Sequence, residues 1–382
     1  MRITLLSVDP GHALAGPQRA AMHLRAQAGA WLSGGHSVTA LLPDAGPASG
    51  FASLSERGLE TRVLRLPVSE REIDWHLSHV LPDLVIEQWR PDAPHGARAC
   101  AEIGVPHFYE VQGARTRALE SLDGRGVRAD LREGFAASAG SICDSESVAD
   151  WVRARAPEQH ATMIDPGSVP FELLRSDPES RIEAGLRHLR LASAEFRVGF
   201  SAAGVAVEDL LTLIEAAGSI RTQVRIRLVG VGDALGGNEM LRCASGVNVG
   251  LMLCGAVPAE EQPRVFALCD AIVVVPTRDE GSVRPQEVID ALSIGRPVVA
   301  GATSATKRLI RSGQEGLLVE PGDVGALGAA LSAIARDPSL AATIGFAGRK
   351  RVSETHSHER SVARILEFLD GLKTQRRDSC GA

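Results

Sequence analysis

Two glycines one residue apart, Gly230 and Gly232 in Val229-Gly-Val-Gly-Asp233, follow a strand-like apolar run, Val224 to Val229. Lacking Cβ atoms, they would let a backbone approach a nucleotide closely; an ordinary tight turn accounts for them equally well. The six cysteines, Cys100, Cys143, Cys243, Cys254, Cys269 and Cys380, contain no CxxC pair, so neither a zinc site nor a dithiol redox motif is expected. No DxD-type acidic motif is placed to serve a metal.

The chain of 382 residues is too long for one ordinary core and comfortable for two. Its formal charge of −6 provides no global field toward nucleic acid. With aromatics at 4% and a single Tyr, base-stacking platforms and aromatic sugar grooves are not the main design. The apolar run Ile3 to Val8 stops at Asp9-Pro10, too short for a signal peptide or a membrane span, and no other segment has about 18 unbroken apolar residues. A disulfide-poor α/β chain fits a reducing compartment, so the expectation is cytoplasmic; a peripheral membrane contact or a protein partner stays open.

The elements that would position a site alternate. Arg2 to Val8 reads as a buried strand, Gln18 to Leu32 as a helix closed by Gly34-Gly35, and His36 to Leu42 as a second strand. That βαβ unit implies a parallel sheet covered on both faces. Strands continue at Arg62 to Leu66, Leu84 to Ile86, Val105 to Val111 and Ser141 to Cys143. Prolines at 157, 166, 170 and 178 break the rhythm and place an interdomain linker there or just after. The pattern restarts at Arg197 to Phe200 and runs to a final amphipathic helix, His356 to Lys373. The expected organisation is an N-terminal Rossmann-like domain over 1–168, a second over 169–355, and a helix over 356–373 crossing back to the first.

The second half carries an ordered set of motifs: Val257-Pro-Ala-Glu-Glu261, Phe266 to Ala271, Val275-Pro276, Glu280-Gly281, Asp290-Ala-Leu-Ser-Ile-Gly-Arg-Pro-Val-Val-Ala300, Gly316 to Asp323 and Gly348 to Val352. In this order they resemble the retaining glycosyltransferases of family 4. The first half is similar more loosely, through Gly34-Gly-His-Ser-Val-Thr39, Asp83 to Trp89 and Gly104 to Gln112, which resemble a bacterial subgroup of cell-surface polysaccharide assembly. The resemblance implies a GT-B fold: α/β, with two Rossmann-like domains facing across a cleft. It also implies a nucleotide-sugar donor, no cofactor and no metal.

It implies site residues too. Asp290 stands where the family usually has a Glu that accepts from the ribose hydroxyls, and Glu280 echoes the start of the family's acidic pair. Gln112 ends a strand where the family often has a site His or Asn; an amide can hydrogen-bond a sugar but cannot be a general base. Gly16 lies in the loop Gly11 to Pro17, which would approach acceptor or sugar. The family's diphosphate clamp departs most: its Arg position is Ala203 and its Lys position Glu208. Arg278, Arg284, Lys307 and Arg308 would then supply a relocated clamp, or they are solvated surface charges.

Two readings follow. The first is a retaining glycosyltransferase, with Glu280 and Gln112 at the reacting centre, moving a hexosyl unit to a saccharide, lipid-linked or small-molecule acceptor. The second is a catalytically degenerate GT-B relative acting as a partner subunit.

Overall fold

The strand-forming runs are apolar at nearly every position rather than alternating, the mark of strands buried on both faces of a parallel sheet. The computed structural model describes residues 1–8, 19–43, 57–90, 93, 95–112, 127–164, 195–202, 205–232, 236–255, 257, 262–275 and 285–380. The chain divides into two compact units, Met1–Gly167 together with His358–Ala382, and Ser168–Ser357.

The first unit runs β1 (Arg2–Leu6), α1 (Arg19–Ser33), β2 (Ser37–Pro43), β3 (Leu59–Leu64), α2 (Glu70–Val80), β4 (Leu84–Gln88), α3 (His95–Ile103) and β5 (His107–Val111). It continues through α4 (Val127–Ala137), β6 (Gly140–Cys143), α5 (Glu146–Arg155) and β7 (Ala161–Met163). The seven strands lie in the order β3-β2-β1-β4-β5-β6-β7, all parallel. On one face Ile3, Leu5, Leu84, Ile86 and Phe108 pack against Leu24, Ala28 and Trp31 of α1 and against Val362, Ile365 and Leu369 of the chain's last helix. The spacing of those last three residues gives that helix one apolar stripe. On the other face Leu6, Leu41, Leu64 and Val85 meet Ile73 and Leu77 of α2 and Ala99 and Cys100 of α3.

The second unit runs β8 (Phe196–Ser201), α6 (Val207–Ser219), β9 (Ile226–Val231), α7 (Gly237–Gly246), β10 (Gly250–Leu253), α8 (Gln262–Ala267) and β11 (Ala271–Val274). Then come α9 (Pro285–Ser293), β12 (Val298–Gly301), α10 (Ser304–Leu309), β13 (Leu317–Val319), α11 (Val324–Arg336) and α12 (Pro338–Thr355). The six strands are parallel in the order β10-β9-β8-β11-β12-β13. Val198, Phe200 and Leu228 face Leu210, Leu213 and Ile214 of α6 and Leu327 and Leu331 of α11. Ile272, Val298 and Ala300 face Val288, Ile289 and Leu292 of α9 and Val352 of α12. Asp323 and Asp337 cap α11 and α12, and Thr303 with Thr306 forms a capping box on α10.

The structure corrects several boundaries. The proline-marked stretch opens with a strand, β7, which adds an edge to the first sheet before the break; its remainder, residues 165–194, lies outside the described residues. The last helix, α13 (His358–Cys380), starts two residues later and runs further than the sequence suggests. Three helices of the first unit, α2, α4 and α5, are not legible as periodic apolar runs because charged residues interrupt them.

β4 is buried along its whole length yet contains Glu87 and Gln88. Glu87 points toward α3, where Gly96 leaves it room: a Cβ on Gly96 would stand 2.4 Å from Glu87 Oε2. That oxygen pairs with His107 Nε2 at 2.8 Å, the two side chains 0% and 1% exposed. His107 Nδ1 lies 3.1 Å from Ser138 Oγ, whose hydroxyl lies 3.0 Å from the carbonyls of His107 and Gly140. His107 is therefore structural. His107→Ala leaves a buried Glu87 oxygen without its hydrogen-bond partner and should cost about 1–3 kcal/mol; urea unfolding followed on the first unit's tryptophans measures it.

Candidate nucleotide-sugar site

In an open parallel sheet the ligand crevice lies beyond the carboxyl ends of the strands, where the strand order reverses. In the second unit that point is between β8 and β11. β8 leads into α6, whose N-cap Ala206 has no side chain to cap it and whose first turn carries Glu208 and Asp209. Glu208 is exposed and Asp209 is 8% exposed. Glu208, where the family resemblance places a Lys, is thus an exposed carboxylate in the first turn of α6.

β9 ends beside β8, with Ala202 N bonded to Val231 O at 2.8 Å. Gly230 is not at a turn. It is an interior residue of the strand, and a Cβ there would meet Phe200 at 2.7 Å and Leu253 at 2.9 Å. Its role is to admit the Phe200 ring to the core. Gly232 is the turn glycine, with φ of 99°, and its amide donates to Gly255 O at 2.8 Å. That amide is already committed, so of the Gly-x-Gly pair one glycine packs and the other turns the chain.

Asp290 is the sixth residue of α9, the helix that follows β11, and is 9% exposed. Gln286 Nε2 donates to its Oδ1 at 2.6 Å, one turn earlier. Lys307 and Arg308 are exposed in the last turn of α10. α10 follows β12, which is separated from β9 by β8 and β11, about 14 Å along the sheet. Arg308 O accepts from Arg351 of α12 at 3.1 Å. Lys307 and Arg308 thus sit on the helix that follows β12, three strands from β9. Gly16, Ala203, Arg278, Glu280 and Arg284 lie outside the described residues.

The first unit gathers a polar cluster that the sequence reading missed in part. Gln88 and Glu110, adjacent in the β4–β5 register, face α1. Glu110 Oε1 accepts from His23 Nε2 at 2.6 Å, and Oε2 accepts from Gln88 Nε2 at 2.6 Å and Gln27 Nε2 at 3.3 Å. Gln112 Nε2 donates to Gln88 Oε1 at 3.3 Å. The His23 and His358 rings stand 5.5 Å apart, which brings the start of α13 to the cluster. Burial works to raise the Glu110 carboxyl, but the His23 charge and the bonds from His23, Gln27 and Gln88 outweigh it and hold it below the usual carboxylate range. The signals for Gln88 and Gln27 were present: an amide ending an apolar strand, and His23 with Gln27 at i,i+4 on one helix face.

Among the described residues no group of three or more His, Cys, Asp or Glu is arranged to hold a metal ion, and no helix is long and apolar enough to cross a membrane.

Residues 195–337, which hold the second unit's sheet and α9, match the model of glycosyl transferases group 1. The matched residues, the group 1 segment of the chain, run from β8 to α11. A GDP-mannose-dependent alpha-(1-6)-phosphatidylinositol monomannoside mannosyltransferase of Mycolicibacterium smegmatis is 29% identical over 172 residues, 43% of this chain and 45% of that protein. Its namesake in Mycobacterium tuberculosis is 27% identical over 220 residues, 54% and 55% of the two chains. The match thus spans about half the length of these relatives. Among solved structures, Anabaena Alr3699/HepE in complex with UDP-glucose superposes with a TM-score of 0.69 at 18% identity, over 97% of this chain and 99% of that one. Sucrose-phosphate synthase of Thermosynechococcus elongatus does so at 0.70 and 18%, over 98% and 99%. The fold is GT-B.

Two outcomes are expected. Asp290→Ala in the group 1 segment should weaken nucleotide binding by about 1.5–3 kcal/mol, the range for hydrogen bonds to a charged group; calorimetry on the folded variant measures it. Because folding holds the Glu110 carboxyl below its unfolded value, its stabilisation is complete above about pH 4.3 and is lost as pH falls through the lower folded value. Urea stability measured across that acid range should fall less steeply in Glu110→Gln.

Proposed function

We propose that this chain is a retaining glycosyltransferase that moves a hexosyl unit from a nucleoside-diphosphate sugar to a saccharide, lipid-linked or small-molecule acceptor. The observation that carries the reading is the placement of the group 1 segment on a Rossmann-ordered sheet, with Asp290 buried on the helix after β11. A carboxylate there is suited to accept from ribose hydroxyls, and the strand ends at β8 and β9 suit a nucleotide. The mannosyltransferase relatives and the UDP-glucose complex of the structural neighbour support GDP-mannose and UDP-glucose as the donors to test first. The free thiols of Cys100, Cys143, Cys243, Cys254 and Cys269 support a reducing, cytoplasmic setting.

One observation favours the second reading, a relative with a weakened donor site: the carboxylates Glu208 and Asp209 in the first turn of α6, where a leaving diphosphate needs positive charge or amide donors. The readings separate in one experiment. Thermal melts with GDP-mannose, UDP-glucose, GDP and UDP, each followed by a transfer assay, should show one donor raising the melting temperature by roughly 5–10 °C at a hundredfold excess over Kd. If wild type binds none of them while Glu208→Lys gains roughly tenfold or more in affinity, the donor site is degenerate and the transferase reading falls.

A further inference from the structure

The cluster in the first unit has a direction. A carboxylate only accepts hydrogen bonds, whereas a glutamine amide must offer a donor on one side and an acceptor on the other. Glu110 takes hydrogen bonds from three side chains, so Gln88 has to turn its Nε2 toward Glu110, at 2.6 Å. That leaves Gln88 Oε1 on the opposite side, where only a donor fits. Gln112 meets it with Nε2 at 3.3 Å. Gln112 in turn faces its Oε1 away from Gln88, and that oxygen has no hydrogen-bond partner among the described residues; the second N–H of the amide lies beside it.

The strength of the constraint is visible at Gln27. Its Nε2 also goes to Glu110, although this leaves Gln27 Oε1 buried with no hydrogen-bond partner. A neutral acceptor would not hold a buried amide in that orientation; a carboxylate, whose hydrogen bonds are worth roughly twice neutral ones, does. Gln88 is 2% exposed and cannot satisfy itself with water, so its polarity follows Glu110. Gln112 is half-buried, at the carboxyl end of β5, where the first sheet opens beyond its reversal point.

We propose that Glu110 is a positioning residue that acts through Gln88 to orient Gln112, so that Gln112 presents its Oε1 as an acceptor to a hydroxyl of the bound sugar. His23 supports it by donating to the second carboxylate oxygen, which fixes the carboxylate plane. The class of ligand rests on the glycosyltransferase reading, while the orientation of Gln112 does not. The consequence is a preference: a hydroxyl, which donates as well as accepts, can use the Gln112 oxygen, whereas a phosphate or carboxylate oxygen only accepts and gains nothing from it.

The relay is tested on the ligand-free protein by the side-chain amide signals of glutamine in a nitrogen-15 spectrum, with Gln112 assigned from its loss in Gln112→Met. Glu110→Gln keeps the shape and removes the accept-only constraint. It should move the Gln112 side-chain signal, although no hydrogen bond joins residue 110 to Gln112. Gln88→Met leaves Glu110 intact, breaks the chain at its middle link, and should do the same. An unmoved Gln112 signal in both folded variants overturns the proposal. Kinetics add a readout that a purely structural role would not move. With GDP-mannose or UDP-glucose, whichever is transferred, Gln112→Met and Glu110→Gln should each lower kcat/KM roughly tenfold, and the double variant should lose no more than Gln112→Met alone. Independent, multiplying losses overturn the coupling. A moved Gln112 signal with no transfer from any donor sustains the relay and sinks the transferase reading, so the two fail separately.

Discussion

A parallel strand covered on both faces offers its side chains no water, and that constraint organises both units. Any polar residue in such a strand must find its partner inside the protein. β4 has two, Glu87 and Gln88, and because successive side chains point to opposite faces, each recruits its own neighbours. Glu87 takes His107, and through His107 and Ser138 it ties β4 to β5 and to the start of β6. Gln88 takes Glu110, and with it α1 through His23 and Gln27. One face therefore holds a fully buried Glu87–His107–Ser138 chain and the other a relay that ends at a half-buried amide. The first is suited to stability; the second has a free acceptor to offer.

The second unit meets the same constraint by subtraction of side chains. Gly230 yields its space to Phe200 and Leu253, and Gly199 to Phe266 and Cys269. On the helical layer, Gly345 lies so close to the carbonyl of Gly295 that a Cβ would stand 2.3 Å from it, and Gly348 leaves 2.6 Å to the carbonyl of Glu315. These contacts set α12 tightly against the turn after α9, which places the helix that carries Asp290. The motif Asp290 to Ala300 reads, in these terms, as a carboxylate on a helix, the turn that α12 clamps, and the next strand of the sheet.

The sequence was legible wherever one physical pattern dominated. Apolar runs bounded by glycine marked most of the strands, and the motifs from Val257 to Val352 marked the group 1 segment. It was illegible where two patterns overlapped. α2 reads as a charge-rich loop, yet Ser69 accepts from the amide of Glu72, a Ser-x-x-Glu start, and Ile73 and Leu77 are the buried pair one turn apart. The spacing of Gly230 and Gly232 fits a tight turn and close approach to a nucleotide equally well, and only the structure adds a third cause, the Phe200 ring packed on Gly230. The Glu110 cluster depends on β4, β5 and α1 meeting, so spacing along the chain could not announce it; only the oddity of an amide and a carboxylate in buried strands hinted at it. Asp290 was legible as a motif position, but its bond from Gln286 was not.

The first turn of α6 holds the sharpest conflict between folding and binding. The exposed amides of an uncapped helix start attract negative charge, and carboxylates in that turn stabilise the helix by about 0.3–1 kcal/mol each. Ala206 supplies no cap, so Glu208 and Asp209 serve the helix in its absence. A diphosphate approaching the same turn would seek the same amides and would meet those carboxylates instead. If a diphosphate binds at this turn, helix stability and its affinity are opposed there, and a neutral or basic residue in place of Glu208 moves them in opposite directions. A solvated surface charge with no bearing on the site would move neither by much. It is this opposition, rather than the loss of a cation as such, that makes the departure at Glu208 informative about what the second unit binds.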